Sequence, residues 1–211
     1  MDHEQRSKAA NAQDPKQAGK IIRSLKQLED EYFLAAGPLS ERMMAVAVQA
    51  IKKATPEPFK VVEADVTASI NIAEWRSNRG PGQDFSLTLA EIGAEEDREY
   101  CWLTAATAVG PTRLGLEFAC RPGLREAFQA VTKDEKKLAD IWKAGFLLDQ
   151  NDSRLFLPIV IPPEKLAQGF EQNSLDAVMV PVTKAVELAI AAKPHLDALA
   201  AQIRDAAKVS K

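Results

Sequence analysis

The sequence predicts an α+β fold: an antiparallel sheet of five to six strands with helices packed on it, an N-terminal helical hairpin and C-terminal helices. Three observations carry that expectation. Apolar residues recur at helical spacing near both ends of the chain. They switch to a period of two from Phe59 to Leu89 and again around residues 100–120. Short turn signals, not long crossovers, join these strand-like runs, and short connections require antiparallel neighbours. The implied organisation is a flexible polar tail over residues 1–14 and a single domain over 15–211. That domain divides into a helical hairpin at 15–55, a sheet with an inserted helix at 58–161, and C-terminal helices at 162–208.

Ile21, Leu25, Leu28 and Tyr32 fall on one face of a helix predicted over Lys16–Ala36. Gly37-Pro38 is expected to end it, and Pro38 suits the first turn of a second helix over Leu39–Ala54, striped by Met43, Met44, Val46, Ala47 and Ile51. The pair reads as a helical layer laid on a sheet or on another copy of itself. From Phe59 onward, Val62, Ala64, Val66, Ala68, Ile70 and Ile72 alternate with Glu63, Asp65, Thr67, Ser69 and Asn71, the pattern of one strand with a solvated face. The alternation slips at Ala73, where a bulge or the strand end is expected. Arg76–Gln83 is a turn, Phe85, Leu87 and Leu89 face inward on the next strand, and Glu95–Glu99 is an acidic connection.

Two runs, Tyr100–Val109 and Thr112–Cys120, flank Gly110-Pro111 and predict a β-hairpin. Closing Val109 on Thr112 sets Leu103 opposite Phe118, Ala105 opposite Leu116 and Thr107 opposite Leu114. The other face then carries Trp102 with Ala119, Thr104 with Glu117 and Ala108 with Arg113. Cys101 and Cys120 would face each other at a hydrogen-bonded site. There the Cβ separation of about 4.5–5.5 Å exceeds the roughly 3.5–4.5 Å a disulfide prefers, so two reduced, buried thiols are expected. The first strand, apolar on both faces, should lie centrally.

Pro122-Gly123 leads into a helix bearing Leu124, Phe128 and Val131. Thr132 and Glu135 have capping-box spacing for a further stretch to Ala144, with Gly145 as its C-cap. Phe146–Leu148 and Leu155–Ile161 read as short strands, and Pro158 demotes the second to an edge or bends it. Pro162-Pro163 opens a short helix. Ser174 begins a last helical region running to Lys208, which Pro181 and Pro194 should split and whose final stripe is Leu196, Leu199 and Ile203.

The 211 residues carry a net charge of −3, so no global basic field draws in nucleic acid. The first twenty residues lack an apolar core of the signal-peptide kind, and no run approaches the length of a membrane span; a cytoplasmic location is expected. Two cysteines without a CxxC, and two histidines at positions 3 and 195, predict neither a metal nor a cofactor. No Ser lies in a G-x-S-x-G context, and His195 follows Pro194 at a helix start, so no nucleophile–base pair can be nominated.

Three weaker constellations remain. Arg76, Arg79, Gly80 and Gly82 form a loop able to contact an anion or a nucleic-acid phosphate. Glu63, Asp65 and Glu74 could hold a divalent metal for hydrolysis, although strand alternation puts the first two on a solvated face. Glu135-Lys136-Lys137 matches half of a nuclease motif but sits at a helix start. The function expected is therefore a non-enzymatic, self-associating protein-binding module of the adaptor, chaperone or immunity-type inhibitor kind, with a possible homodimer. Trp102, Thr104 and Glu117 on the hairpin's second face would be its partner surface. The alternatives are a nucleic-acid-associated or degenerate nuclease-like factor acting through Arg76 and Arg79, and a metal-dependent hydrolase using Glu63, Asp65 and Glu74.

Overall fold

A computed structural model of the chain describes residues 15–77, 80–93, 101–149 and 153–209. The first helix, α1 (Pro15–Leu34), passes through a π-helical turn (Ala35–Leu39) into α2 (Ser40–Ala54). The expected helical hairpin is thereby corrected to one long interrupted helix. Gly37 and Pro38 do not break it: the backbone stays in the right-handed helical region at Leu34, Leu39 and Ser40. Ser40 Oγ donates to Ala35 O over 2.7 Å, and a wide turn of this kind accommodates a proline that a regular α-turn would exclude. Met43, Met44, Ala47, Val48 and Ile51 of α2 are buried, as their spacing predicts.

The strand expected from Val62 to Ile72 is a hairpin, β1 (Lys60–Ala64) and β2 (Thr67–Asn71). Ala64 pairs with Thr67, and the two-residue turn between them rests on Asp65 at φ 48, a left-handed conformation an aspartate tolerates. The alternation survived on only one arm: Ala68 and Ile70 are buried, while Val62 on the edge strand is half exposed. A 3-10 turn at Ala73–Trp75 ends β2 where the pattern slips. β3 (Phe85–Ile92) then buries Phe85, Leu87 and Leu89.

The predicted Tyr100–Cys120 hairpin is half wrong. Trp102–Thr107 is a helix, α3, and only the second run forms a strand, β4 (Arg113–Cys120). The hydroxyls of Thr104 and Thr107 bond back to the carbonyls of Cys101 and Leu103, and Ala108 at φ 56 closes the helix. An apolar run without a solvated face does not separate a buried helix from a central strand. The true partner of β4 is β3, with Phe85 opposite Cys120 and Leu89 opposite Leu116. Cys101 and Cys120 are both free; Cys101 is buried and Cys120 half-buried.

α4 (Arg125–Thr132) and α5 (Ala139–Lys143) follow, then β5 (Leu147–Asp149) and β6 (Arg154–Ile159). The cap after α4 is Asp134, whose carboxylate accepts from Lys136 N; Thr132 instead donates to Phe128 O within its own helix. Gly145 turns the chain at φ 93 as expected. The chain ends in α6 (Pro163–Glu171), α7 (Leu175–Val178), α8 (Val180–Ala191) and α9 (Lys193–Val209), with Pro181 and Pro194 at the starts of the last two.

The strands form one six-stranded antiparallel sheet in the order β1-β2-β3-β4-β6-β5. Pro158 lies where β6 runs past the end of β5 and has a single neighbour strand. One face carries the helical layer over a core centred on Phe118, whose ring meets Trp75 edge-on at 5.1 Å and stacks on Phe85 at 5.2 Å. The other face bears Ser69, Ser86 and Thr88, whose hydroxyls form a row at 2.9 and 3.0 Å. The tail at 1–14, the connection at 95–99 and Arg79 lie outside the described residues.

Candidate functional site

The residues expected to form a partner surface do not share one. Trp102 is half-buried against the core from α3, and the Thr104 hydroxyl is engaged within that helix. Glu117 lies on β4, where its carboxylate accepts from Arg154 Nη2 at 2.6 Å with both side chains largely out of water. Arg154 also donates to Glu91 O, and Thr112 donates to the buried Glu91 carboxylate at 2.6 Å. These polar groups satisfy one another, so they stabilise the sheet and offer little to a partner.

Glu63, Asp65 and Glu74 are also kept apart. Glu63 on β1 pairs with Lys52 of α2, on the helical side of the sheet and not on the solvated face expected for it. Asp65 is in the hairpin turn, and Glu74 lies 3.5 Å from Lys193 at the start of α9. Among the described residues no group of three or more His, Cys, Asp or Glu side chains could hold a metal.

A guanidinium clasp without any local sequence signature holds the described residues Arg76 and Asp84. Asp84 is buried, and its carboxylate meets Arg121 Nε at 2.6 Å and Arg204 Nε at 2.9 Å. Arg204 also donates to the carbonyls of Glu74 and Arg76 and lies 5.4 Å over the Phe85 ring. Trp75 Nε1 donates to Asp197 Oδ1 at 2.7 Å, and Asp197 accepts from Lys193. Burial lowers the Lys193 pKa, but the hydrogen bond and charge of Asp197, with Glu74 behind, more than offset this and raise it overall. This network ties α9 to the loop. It leaves Arg76 exposed beside a cavity of about 310 Å³ lined also by Lys60, Asn71 and Gln83. Gly80 and Gly82 are exposed on the same loop, with open space where a Cβ would sit.

The strongest candidate is α1. Its large apolar side chains are exposed, among them Ile22 at 66%, Leu25 at 56% and Phe33 at 70%, together with Ile21, Leu28, Tyr32 and Leu34. Among the described residues its one extensive contact is with the π turn it runs into, and none of its side chains joins the core. The helix is therefore an arm about 30 Å long at 1.5 Å per residue, with an apolar stripe that the sheet does not cover. Exposed apolar stripes of this size are a common feature of interaction surfaces. The amphipathic spacing was legible in the sequence; that the arm leaves its own sheet was not, because the Gly37-Pro38 reversal never happens.

The charges on α1 are segregated. Lys16, Lys20, Arg23 and Lys26 come first along it, and Glu29, Asp30 and Glu31 follow. No acid stands in the first turn and no base in the last. The helical backbone continues through the π turn into α2, so Leu34 is not a helix end, and the last turn of α2 carries Lys52 and Lys53. Within α1 Lys26 pairs with Asp30 at 2.6 Å and Gln27 donates to Glu31 over 2.7 Å. No described helix is long and apolar enough to cross a membrane. In comparisons with known proteins, the chain matches no family model, no curated protein and no solved structure.

Proposed function

We propose that the protein is a non-enzymatic protein-binding module, of the adaptor, chaperone or inhibitor kind, that docks through α1. The observation that carries this is the uncovered stripe of Ile21, Leu25, Leu28 and Tyr32 on a helix projecting from the sheet. An isolated helix of this length is marginal in water, and its stability comes from packing its apolar face. A photo-crosslinking residue placed at Leu28 is expected to capture protein in the native cell, whereas the same group at Arg23, on the polar side, captures far less. Recovery of no protein product from Leu28 would remove the reading.

A second reading keeps Arg76 as a phosphate contact in a nucleic-acid-associated factor. It is favoured by the cavity that Arg76 shares with Lys60, which places two cations and the amides of Asn71 and Gln83 around one space. Its test is a salt-dependent shift with DNA or RNA that Lys60→Ala/Arg76→Ala abolishes. Binding unaffected by that variant would set it aside.

A further inference from the structure

Beyond the docking role of α1, and independently of it, we propose that the cavity beside Arg76 binds a small phosphate monoester that carries hydroxyl groups. At about 310 Å³ the cavity falls at the lower end of the roughly 300–1,000 Å³ of small-molecule sites. Its polar lining comes as two cross-strand pairs. Lys60 pairs with Asn71 across β1 and β2, and Arg76 bridges to Gln83. Each pair sets a cation beside an amide. The backbone beneath them is fixed: Arg76 N donates to Ala73 O, Asp84 N donates to Trp75 O, and Arg204 donates to Arg76 O at 2.9 Å. A site held in this way is ordered before any ligand arrives.

Charge selects the anion. No carboxylate lines the cavity. Among the described residues Glu63 is engaged with Lys52, Glu74 with Lys193, and Asp84 with Arg121 and Arg204. Two cations therefore border one space with no acid between them. A phosphate monoester carries about −1.5 to −2 charge at pH 7 on one compact group and matches both. A phosphodiester brings a single charge, and a dicarboxylate divides its two charges between separate groups.

The rest of the lining selects what the phosphate is attached to. Pro58, Val62 and Ala73 give a short carbon skeleton an apolar wall. Gln83 Oε1 is buried with no hydrogen-bond partner among the described residues. Its terminal amide turns at little torsional cost, so a ligand hydroxyl can supply the missing donor. Val62 stands opposite Ser69, so the hydroxyl row of Ser69, Thr88 and Ser86 begins beside the cavity on the face away from the helical layer. That row offers hydroxyls to a polyol but no cations to a phosphate backbone. No aromatic side chain lines the cavity, whereas single-stranded nucleic acid is held by stacking its bases on aromatic rings. The occupant is therefore a small molecule, although it uses the same two cations as the nucleic-acid reading.

The test is calorimetric titration of the full chain. Glycerol phosphate is expected to bind, and to bind more tightly than methyl phosphate, which has the anion without the hydroxyls. Glycerol and succinate should not bind. Lys60→Met/Arg76→Met is expected to weaken glycerol phosphate about a hundredfold, on the order of tenfold for each charge-assisted contact. Both side chains are exposed, so that variant should unfold at the same denaturant concentration as the wild type. Gln83→Met should leave methyl phosphate binding unchanged and bring glycerol phosphate down to its level. A wild type that binds no glycerol phosphate at millimolar concentration would overturn the proposal, as would undiminished binding in Lys60→Met/Arg76→Met. So would succinate or methyl phosphate binding as tightly as glycerol phosphate, or Gln83→Met affecting the two phosphates alike. If an oligonucleotide binds through Lys60 and Arg76 while glycerol phosphate does not, the small-molecule site fails and the nucleic-acid reading stands. If neither binds, both fail and the docking role of α1 is untouched.

Discussion

Asp84 carries more of the structure than its place beside a turn suggests. Its carboxylate receives Arg121 from the end of β4 and Arg204 from α9, drawing together residues far apart in the chain. Removing it with Asp84→Ala leaves two guanidiniums facing each other. Both are still partly in water, so the loss should be on the order of 2 kcal/mol, below the 3–5 kcal/mol of a fully buried pair; chemical denaturation checks it. Gly115 is sensitive for a different reason: a Cβ there would stand 2.6 Å from Phe156 Cδ2 and 3.1 Å from Leu157 O. Gly115→Ala is expected to destabilise by about 1–3 kcal/mol in the same assay. Cys120 has its pKa pushed up to about 11, chiefly by burial, with Arg125 pulling it down and Glu117 adding to the rise. Its thiolate is scarce at pH 8, so it should react with a disulfide reagent far more slowly than an open thiol. Because the folded value is raised, any stability Cys120 contributes is present below the unfolded pKa and is lost as pH climbs toward 11. The inward set Phe85, Leu87 and Leu89 was readable from alternation alone. The clasp was not, because a buried carboxylate and two distant arginines leave no local pattern.

The elements divide in the same way. Helices with a polar and an apolar side, such as α2 and α9, were read correctly because their period carries the burial with it. The segment at 102–107 failed because Ala105 and Ala106 are buried and no polar face marks its period. Residues 62–72 failed because one turn residue, Asp65 in a left-handed conformation, folds the strand on itself. The arm α1 was read as a helix but assigned to the wrong neighbour. Gly19 lies within it, and a Cβ there would meet only the Arg23 side chain at 3.5 Å, ordinary contact distance. Gly19→Ala should therefore favour the helix by about 1 kcal/mol without disturbing packing, seen as slower amide exchange over the first half of the arm.

Taken as a whole, the molecule is a six-stranded sheet with one helix-covered face, from which a polarised amphipathic arm projects. The α+β class followed from periodicity and turn spacing. Strand order did not, because β4 looks backward to β3 across a helix that had resembled a strand. The candidate site was half visible: its apolar period and charge segregation are in the sequence, but its exposure depends on a π turn taking the place of a reversal. The direct test of the arm as a docking surface is amide hydrogen exchange over residues 21–32, followed in the purified chain and as native-cell extract is added. Protection that increases as extract is added, and that Leu25→Ser/Leu28→Ser removes, is the predicted result. Exchange that remains fast with native-cell extract added would contradict it.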